Sequence, residues 1–316
     1  MPTTVTSDLA TVEPAASVVS IGFFDGVHRG HRAIIGRAVE LAVARGWRSV
    51  VVTFDRHPLQ IVRPDSVPPL LMTTARRART LSETGVDLVF VLTFDERMRM
   101  LAPEEFVAQV LRSSLDARHL IVGHNFRFGH RAAGNVALLE QIGRRDGFGV
   151  EGVDLVELDG EPVSSTRIRA ALADGDVVSA ERLLGQPFTI DGQVIHGDHR
   201  GRSLGYPTAN LAVEGSCAIP ATGVYAGVFT HPDGRALPAL TSIGTNPHFG
   251  GTALRVEVYV LDFDEDLYGL DVAVDLRHRL RDQQRFDDID GLIAAMAGDV
   301  REARRVLATH EAVLPS

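Results

Sequence analysis

Between Val18 and Leu158, short and almost wholly apolar runs alternate with stretches of helical period, and no other feature limits the chain's fold as much. The runs Val18–Phe24, Trp47–Phe54, Asp87–Phe94, His119–Gly123 and Gly149–Leu158 predict strands. Between them, Ile34, Ile35, Ala38, Leu41 and Ala42 recur at helical spacing and stop at Gly46. Phe106, Val107, Val110 and Leu111 predict an amphipathic helix over Pro103–Leu115, and Asn135–Arg145 predicts another. Strands apolar on both faces are covered on both faces, so the expected fold is α/β, a doubly wound parallel sheet with right-handed crossovers. Ligands of such sheets bind beyond the carboxyl ends of the strands. His28, Asp55–His57, Gly123–Asn125 and Ser164 each follow a predicted strand, so they are expected to share that edge.

The first handover from strand to helix reads Gly22-Phe23-Phe24-Asp25-Gly26-Val27-His28-Arg29-Gly30-His31. A helix N-terminus offers unpaired N–H groups and the positive end of the helix dipole, which suit phosphate. His28 and His31 add donors that can become cationic. A glycine turn carrying surface histidines is the plainer alternative. Gly26 and Gly30 do not form a dinucleotide fingerprint, and no Gly-Lys-Ser/Thr P-loop occurs. Far downstream stands Val163-Ser164-Ser165-Thr166-Arg167-Ile168-Arg169. Its hydroxyls can cap a helix. Its arginines oppose the helix dipole, and a guanidinium fork is suited to phosphate.

The pairing of G-x-F-D-G-x-H-x-G-H with S-S-T-x-I-R resembles the nucleotidyltransferase superfamily with a His-x-Gly-His motif. Val52-Thr53-Phe54-Asp55-Arg56-His57-Pro58 and Val122-Gly123-His124-Asn125-Phe126-Arg127-Phe128-Gly129 resemble its FAD synthetase branch, the adenylyltransferase module of bacterial bifunctional riboflavin kinase/FAD synthetases. The resemblance implies that His28 and His31 are catalytic. It also implies that Gly22, Phe24, Asp25, Gly30, Asn125, Ser164, Thr166 and Arg167 bind ATP and its phosphates. The Lys-rich second signature of the aminoacyl-tRNA synthetases, which share a related histidine motif, does not occur. Adenylyl transfer fits these residue types. Its attacking FMN phosphate is already an anion, so the work is alignment and neutralisation of charge.

Ala170–Leu184 reads as short helix, loop, short helix, with the break at Asp174-Gly175. Beyond Pro187 the texture changes. Phe188–His196, Ala209–Val213, Gly223–Thr230, Leu237–Ile243, Leu254–Phe263 and Val272–Leu276 are short runs separated by turn residues, which predicts a small all-β antiparallel barrel. Ile289–Val313 predicts a closing helix with Leu292, Ile293, Met296, Val300, Ala303 and Leu307 on its core face. Within Gly197–Asn210, glycines such as Gly201 and Gly205 let backbone N–H groups approach a phosphate, and Pro207 sets the turn. Thr208 and Asn210 present hard oxygens on one side, suited to Mg²⁺ beside ATP. A flexible hairpin with a Pro-Thr strand start accounts for them equally well.

Leu204-Gly205-Tyr206-Pro207-Thr208-Ala209-Asn210, Gly223-Val224-Tyr225-Ala226-Gly227, Ser242-Ile243-Gly244-Thr245-Asn246-Pro247, and Val256-Glu257-Val258 with Asp266-Leu267-Tyr268-Gly269 resemble riboflavin kinase over about residues 187–310. By that resemblance Thr208 and Asn210 hold Mg²⁺ and ATP phosphate, Glu257 is the base for the ribityl hydroxyl, and Arg281 binds flavin. A carboxylate near an alcohol suits general-base phosphoryl transfer. On the alternation alone, Glu257 is equally a solvent-facing residue. Gln283 and Arg285 depart from the usual Arg-x-Glu-x-Lys-Phe run, which concerns the flavin-side lid, and His248 is unusual after Asn246-Pro247.

A formal net charge of -9 without a long basic run argues against a nucleic-acid partner. No apolar run approaches the ~18 residues of a membrane span. A single cysteine, Cys217, excludes an internal disulfide framework and fits a reducing cytoplasm. Residues 1–16 lack the layout of a signal peptide and read as a loose tail. The expectation is therefore a cytoplasmic two-domain enzyme, FMN adenylyltransferase over 17–185 and riboflavin kinase over 186–316. Its substrates are riboflavin, FMN and ATP, its cofactor is Mg²⁺, and homo-oligomers are left open.

Overall fold

The computed structural model describes residues 3–196, 205–245, 254–286 and 288–311. Packing divides the chain into two compact units, Met1–Pro68 with Thr74–Ser164, and Pro69–Thr73 with Ser165–Ser316.

The first unit contains β1 (Thr4–Thr6), β2 (Ser17–Ile21), β3 (Arg48–Phe54), β4 (Leu88–Leu92) and β5 (Ala117–Gly123). They are followed by the short β6 (Arg127–Phe128) and β7 (Gly134–Asn135), then β8 (Gly149–Val153). A last small hairpin pairs β9 (Glu157–Leu158) with β10 (Glu161–Pro162). The main sheet runs β1-β4-β3-β2-β5-β8 with every neighbouring pair parallel. Side chains alternate across a strand, and β2 shows what that does here. Val18 packs with Ala38 and Ala42 of the Arg29–Arg45 helix on one face, while Val19 and Ile21 join Val50, Val52 and Leu120 on the other. Both faces are covered, which is why the strands read as continuous apolar runs. β3, β2 and β5 are adjacent and point the same way, so their carboxyl ends open onto one edge.

Several expectations needed correction. Of the expected loose tail 1–16, the described residues from Thr3 on are held in place: β1 extends the sheet by pairing with β4, Thr3 Oγ1 donates to Val86 O at 2.7 Å, and Val12 is buried. The first predicted strand ends at Ile21, because Phe24 adopts φ 55. The predicted strand Gly149–Leu158 is two elements, β8 and β9. The Pro103–Leu115 segment is α-helical only over Pro103–Phe106 and continues as a π-helix over Val107–Ser114. A further helix, Thr74–Ser82, had not been anticipated.

The second unit opens with helices Ser165–Ala173 and Val177–Leu184, broken at Gly175 (φ 74), where a Cβ would meet Arg279 Nε at 2.8 Å. Six strands follow: β11 (Phe188–Ile195), β12 (Ala209–Val213), β13 (Gly223–Thr230), β14 (Ala236–Thr245), β15 (Leu254–Val260) and β16 (Asp271–Arg281). They close an antiparallel barrel in the order β11-β12-β15-β14-β13-β16. β15 ends earlier than expected and β16 runs longer, since Asp262 turns the chain at φ 56. At Gly227 the backbone of β16 comes so close that a Cβ would sit 1.9 Å from Asp275 O, so only glycine fits. The closing helix Ile289–Glu311 lays Ala303, Val306 and Leu307 against Val224, Ala226 and Leu240.

Candidate active sites

At the carboxyl edge of the first unit, β2 ends and Gly22 still donates to Val52 O at 3.1 Å. The chain then turns through Phe24 (φ 55), Gly26 (φ 83) and Val27 (φ 41). Positive φ is strained for a β-branched residue and persists only where the surroundings enforce it. Here Thr53 Oγ1 donates to Phe23 O at 2.9 Å and Val27 N to Phe24 O at 3.0 Å. His28 caps the Arg29–Arg45 helix, its Nδ1 accepting from His31 N at 3.4 Å. The His28 and His31 rings stack at 3.5 Å and 18°, and Phe24 meets His31 edge-on at 5.2 Å. A Cβ on Gly30 would lie 3.2 Å from His28 Cε1, so glycine makes room for the stack.

Burial, with His28 as a second cause, holds the His31 imidazole well below its ordinary pKa. The sequence offered His31 as a donor that can become cationic, and in the fold it is a neutral donor at physiological pH. Its Nδ1 is buried and has no hydrogen-bond partner among the described residues.

Asp55, His57 and Asn125 stand at the same edge. Asp55 follows β3, and its Oδ1 accepts from Phe94 N at 2.9 Å. The His57 ring meets Phe23 at 4.7 Å. Asn125 folds back over Gly123, where a Cβ would lie 3.1 Å from its Oδ1. Ser164 closes the first unit, following β10 rather than a strand of the main sheet. Thr166 and Arg167 lie in the first turn of the Ser165–Ala173 helix, which belongs to the second unit. Arg169 Nε donates to Pro69 O at 2.6 Å, so this arginine has a structural partner.

In the barrel, Glu257 lies beside Asn210 of β12 on one side and Ser242 of β14 on the other. Val256 and Val258 are buried, and the half-buried Glu257 points to the opposite face. Thr208 and Asn210 flank the buried Ala209, which puts both on one side of an extended segment. Gly205 has φ 81, as a turn glycine should. Pro207 and Thr208 line a cavity of about 180 Å³ shared with Val258, Val260 and the Phe263–Tyr268 loop. Gly201 and the rest of residues 197–204, as well as Asn246–Phe249 with His248, lie outside the described residues.

Arg281 holds Asp299 of the closing helix through Nη2 at 2.7 Å and Nε at 2.9 Å, and its guanidinium lies 5.8 Å over Phe286. Gln283 Nε2 donates to Ser242 Oγ at 2.9 Å and to Ile243 O at 3.2 Å. Sequence reasoning missed Asp299 and the Gln283–Ser242 contact, because neither partner is near in sequence. It also missed Arg77 of the Thr74–Ser82 helix. The signal was present: Arg77 shares a helix face with buried Leu81, four residues on.

Residues 11–167 match the FAD synthetase family and residues 184–307 match the riboflavin kinase family. A Pseudomonas fluorescens protein described as bifunctional riboflavin kinase/FMN adenylyltransferase is 43% identical over 297 residues, 94% of this chain and 94% of its own. The protein of the same description from Escherichia coli K12 is 38% identical, covering 94% and 95%. That from Bacillus subtilis is 34% identical, covering 93% of each. A Streptococcus pneumoniae crystal structure described as a macrolide-efflux protein superposes with a TM-score of 0.86 at 32% identity, over 96% of this chain and 99% of that one. Among the described residues no helix is long and apolar enough to cross a membrane.

Proposed function

The chain belongs to the bifunctional riboflavin kinase/FMN adenylyltransferase family, and we propose how its residues divide the two activities. ATP phosphorylates riboflavin to FMN, and a second ATP adenylylates FMN to FAD with release of pyrophosphate.

Adenylylation belongs to residues 17–185 and kinase activity to residues 186–316. The family matches at 11–167 and 184–307 support this division. The observation that carries the adenylylation site is the His28–His31 stack at a helix N-terminus on the carboxyl edge of a parallel sheet. The α-phosphate meets the N–H groups of that helix start, with the neutral His31 ring as a fixed donor. Gly22, Phe24, Asp25 and Gly30 shape the turn around it. Asn125 and Ser164 of the same unit add to the binding of ATP. No nucleophilic side chain is required, because the FMN phosphate is itself the attacking group and the pyrophosphate leaves.

In the kinase module, Glu257 takes the proton from the ribityl hydroxyl as that oxygen attacks the γ-phosphate. The cavity beside Pro207 and Thr208 receives ATP, with the turn glycine Gly205 toward its phosphates, and Arg281 supports the flavin side through its tie to the closing helix. The donor set suits Mg²⁺: the Thr208 hydroxyl and Asn210 amide are hard oxygens on one face, beside the carboxylate of Glu257. When bound, Mg²⁺ supplies charge neutralisation on the ATP phosphates. The substrates and the single cysteine suit a cytoplasmic enzyme.

The test is chromatography of the products formed from riboflavin and ATP-Mg²⁺. Wild type should make FMN and FAD. His31→Ala should accumulate FMN, with FAD formation down by about 100-fold, the scale of losing one oxyanion-type donor. Equal loss of both products would count against this placement of the adenylylation site.

A further inference from the structure

Arg77 is fully buried in the Thr74–Ser82 helix, which packs against the Asp25–Val27 turn. Its Nη2 donates to Phe54 O, at the end of β3, and reaches Thr74 Oγ1 at 3.4 Å. Its guanidinium lies over Phe23, 4.1 Å from the ring centroid. Its Nε and Nη1 are buried and have no hydrogen-bond partner among the described residues. Burial lowers its pKa to about 10, against the opposing pull of Asp25 and Asp55, so it stays cationic at neutral pH.

This arrangement is costly for a residue that serves folding alone. A desolvated charge and two unmade hydrogen bonds both lower stability, and an apolar chain of similar length would fill the space without either cost. What the guanidinium touches is the frame of the adenylylation site. Phe54 ends one strand and Phe23 begins the strained turn of the next. Phe24, one residue on, sets its ring against His31. Phe24 and Val27 keep positive φ only while their surroundings hold them there.

We infer that Arg77 is a positioning residue for adenylyl transfer: its guanidinium locks the end of β3 and the Phe23–Val27 turn into the geometry that presents His28 and His31 to the phosphate. The inference rests on the placement of adenylyl transfer at that turn.

The test compares full-length Arg77→Met, Arg77→Lys and His31→Ala with wild type. The readouts are kcat and KM for FAD formation from FMN, the rate of FMN formation from riboflavin, and Tm. Arg77→Met should keep or raise Tm and leave FMN formation and KM unchanged, while kcat for FAD falls by about 100-fold, as for a displaced catalytic group. Arg77→Lys keeps the charge without the planar fork and should lose about tenfold. A kcat for Arg77→Met within about threefold of wild type, a loss confined to KM, or a parallel fall of both activities with Tm would each overturn the inference. Should Arg77→Met not accumulate as folded protein, Arg77→Lys decides: a kcat loss of about threefold or more at unchanged KM supports the inference, and a smaller one overturns it. Loss of FAD formation in His31→Ala with none in Arg77→Met overturns the role of Arg77 alone. Retention in His31→Ala removes the site on which it rests.

Discussion

Gln283 donates its side-chain amide to the Ser242 hydroxyl, and Ser242 is the cross-strand neighbour of Glu257. A hydroxyl that accepts from an amide is left with its own proton to donate. A carboxylate at position 283 could donate neither to Ser242 nor to the Ile243 carbonyl. Where the riboflavin kinase pattern has an acid, this chain has a donor that orients the strand beside the proposed base.

Gln283→Glu should therefore lower riboflavin phosphorylation turnover by about three- to tenfold, the scale of one hydrogen bond, with FAD synthesis from supplied FMN unchanged. Steady-state kinetics of the two reactions on one preparation checks this. Unchanged kinase turnover would show that the amide only decorates the strand end.

Glu257→Gln preserves size and hydrogen bonding but removes the proposed base. Kinase turnover should fall by about 100-fold or more, while riboflavin affinity changes little. FAD formation from FMN should survive. Flavin binding followed by fluorescence beside the phosphorylation rate separates the two effects, and near-normal turnover would place the base elsewhere.

The buried His31 makes stability depend on pH in a defined direction. Its folded pKa lies below the unfolded value, so between the two the unfolded chain binds more protons. Stability is thus fully present above about pH 6.5 and is lost as pH falls toward the folded pKa. Wild-type Tm should drop more steeply than that of His31→Gln between about pH 7 and pH 5. Parallel melting curves across that range would contradict this reading.

The kinase module needs the helices before it for full stability. Glu181 pairs with Arg277 of β16 at 2.8 Å, and Ala221 N donates to Leu172 O at 2.9 Å. A fragment of residues 165–316 should melt higher than one of residues 187–316, and both should make FMN without FAD. A folded 187–316 fragment lacking kinase activity would show that the division at residue 186 is misplaced.

The sequence by itself determined the two textures of this chain, because periodicity is a local property. A strand buried on both faces must be apolar throughout, so β2, β3, β4 and β5 were legible. Alternation in β15 marked Glu257 as facing away from the barrel core, and the histidine turn was visible as a strand handing over to a helix.

Tertiary structure decided the rest. Val18–Phe24 looks like one strand, yet it stops at Ile21, because Thr53 on the neighbouring strand and the rings around Phe24 hold the turn at positive φ. Thr4–Thr6 has no apolar signature and becomes a strand only because the edge of β4 offers backbone partners. Arg77 stands in an arginine-rich stretch for which no element was expected, and its burial follows from the turn packed against it. Arg281 is tied to Asp299, eighteen residues away on another element, a distance at which side-chain spacing carries no information. Periodicity reports which face of an element is covered. What covers it, and which polar group must then find a partner there, depends on segments that meet only when the chain has folded.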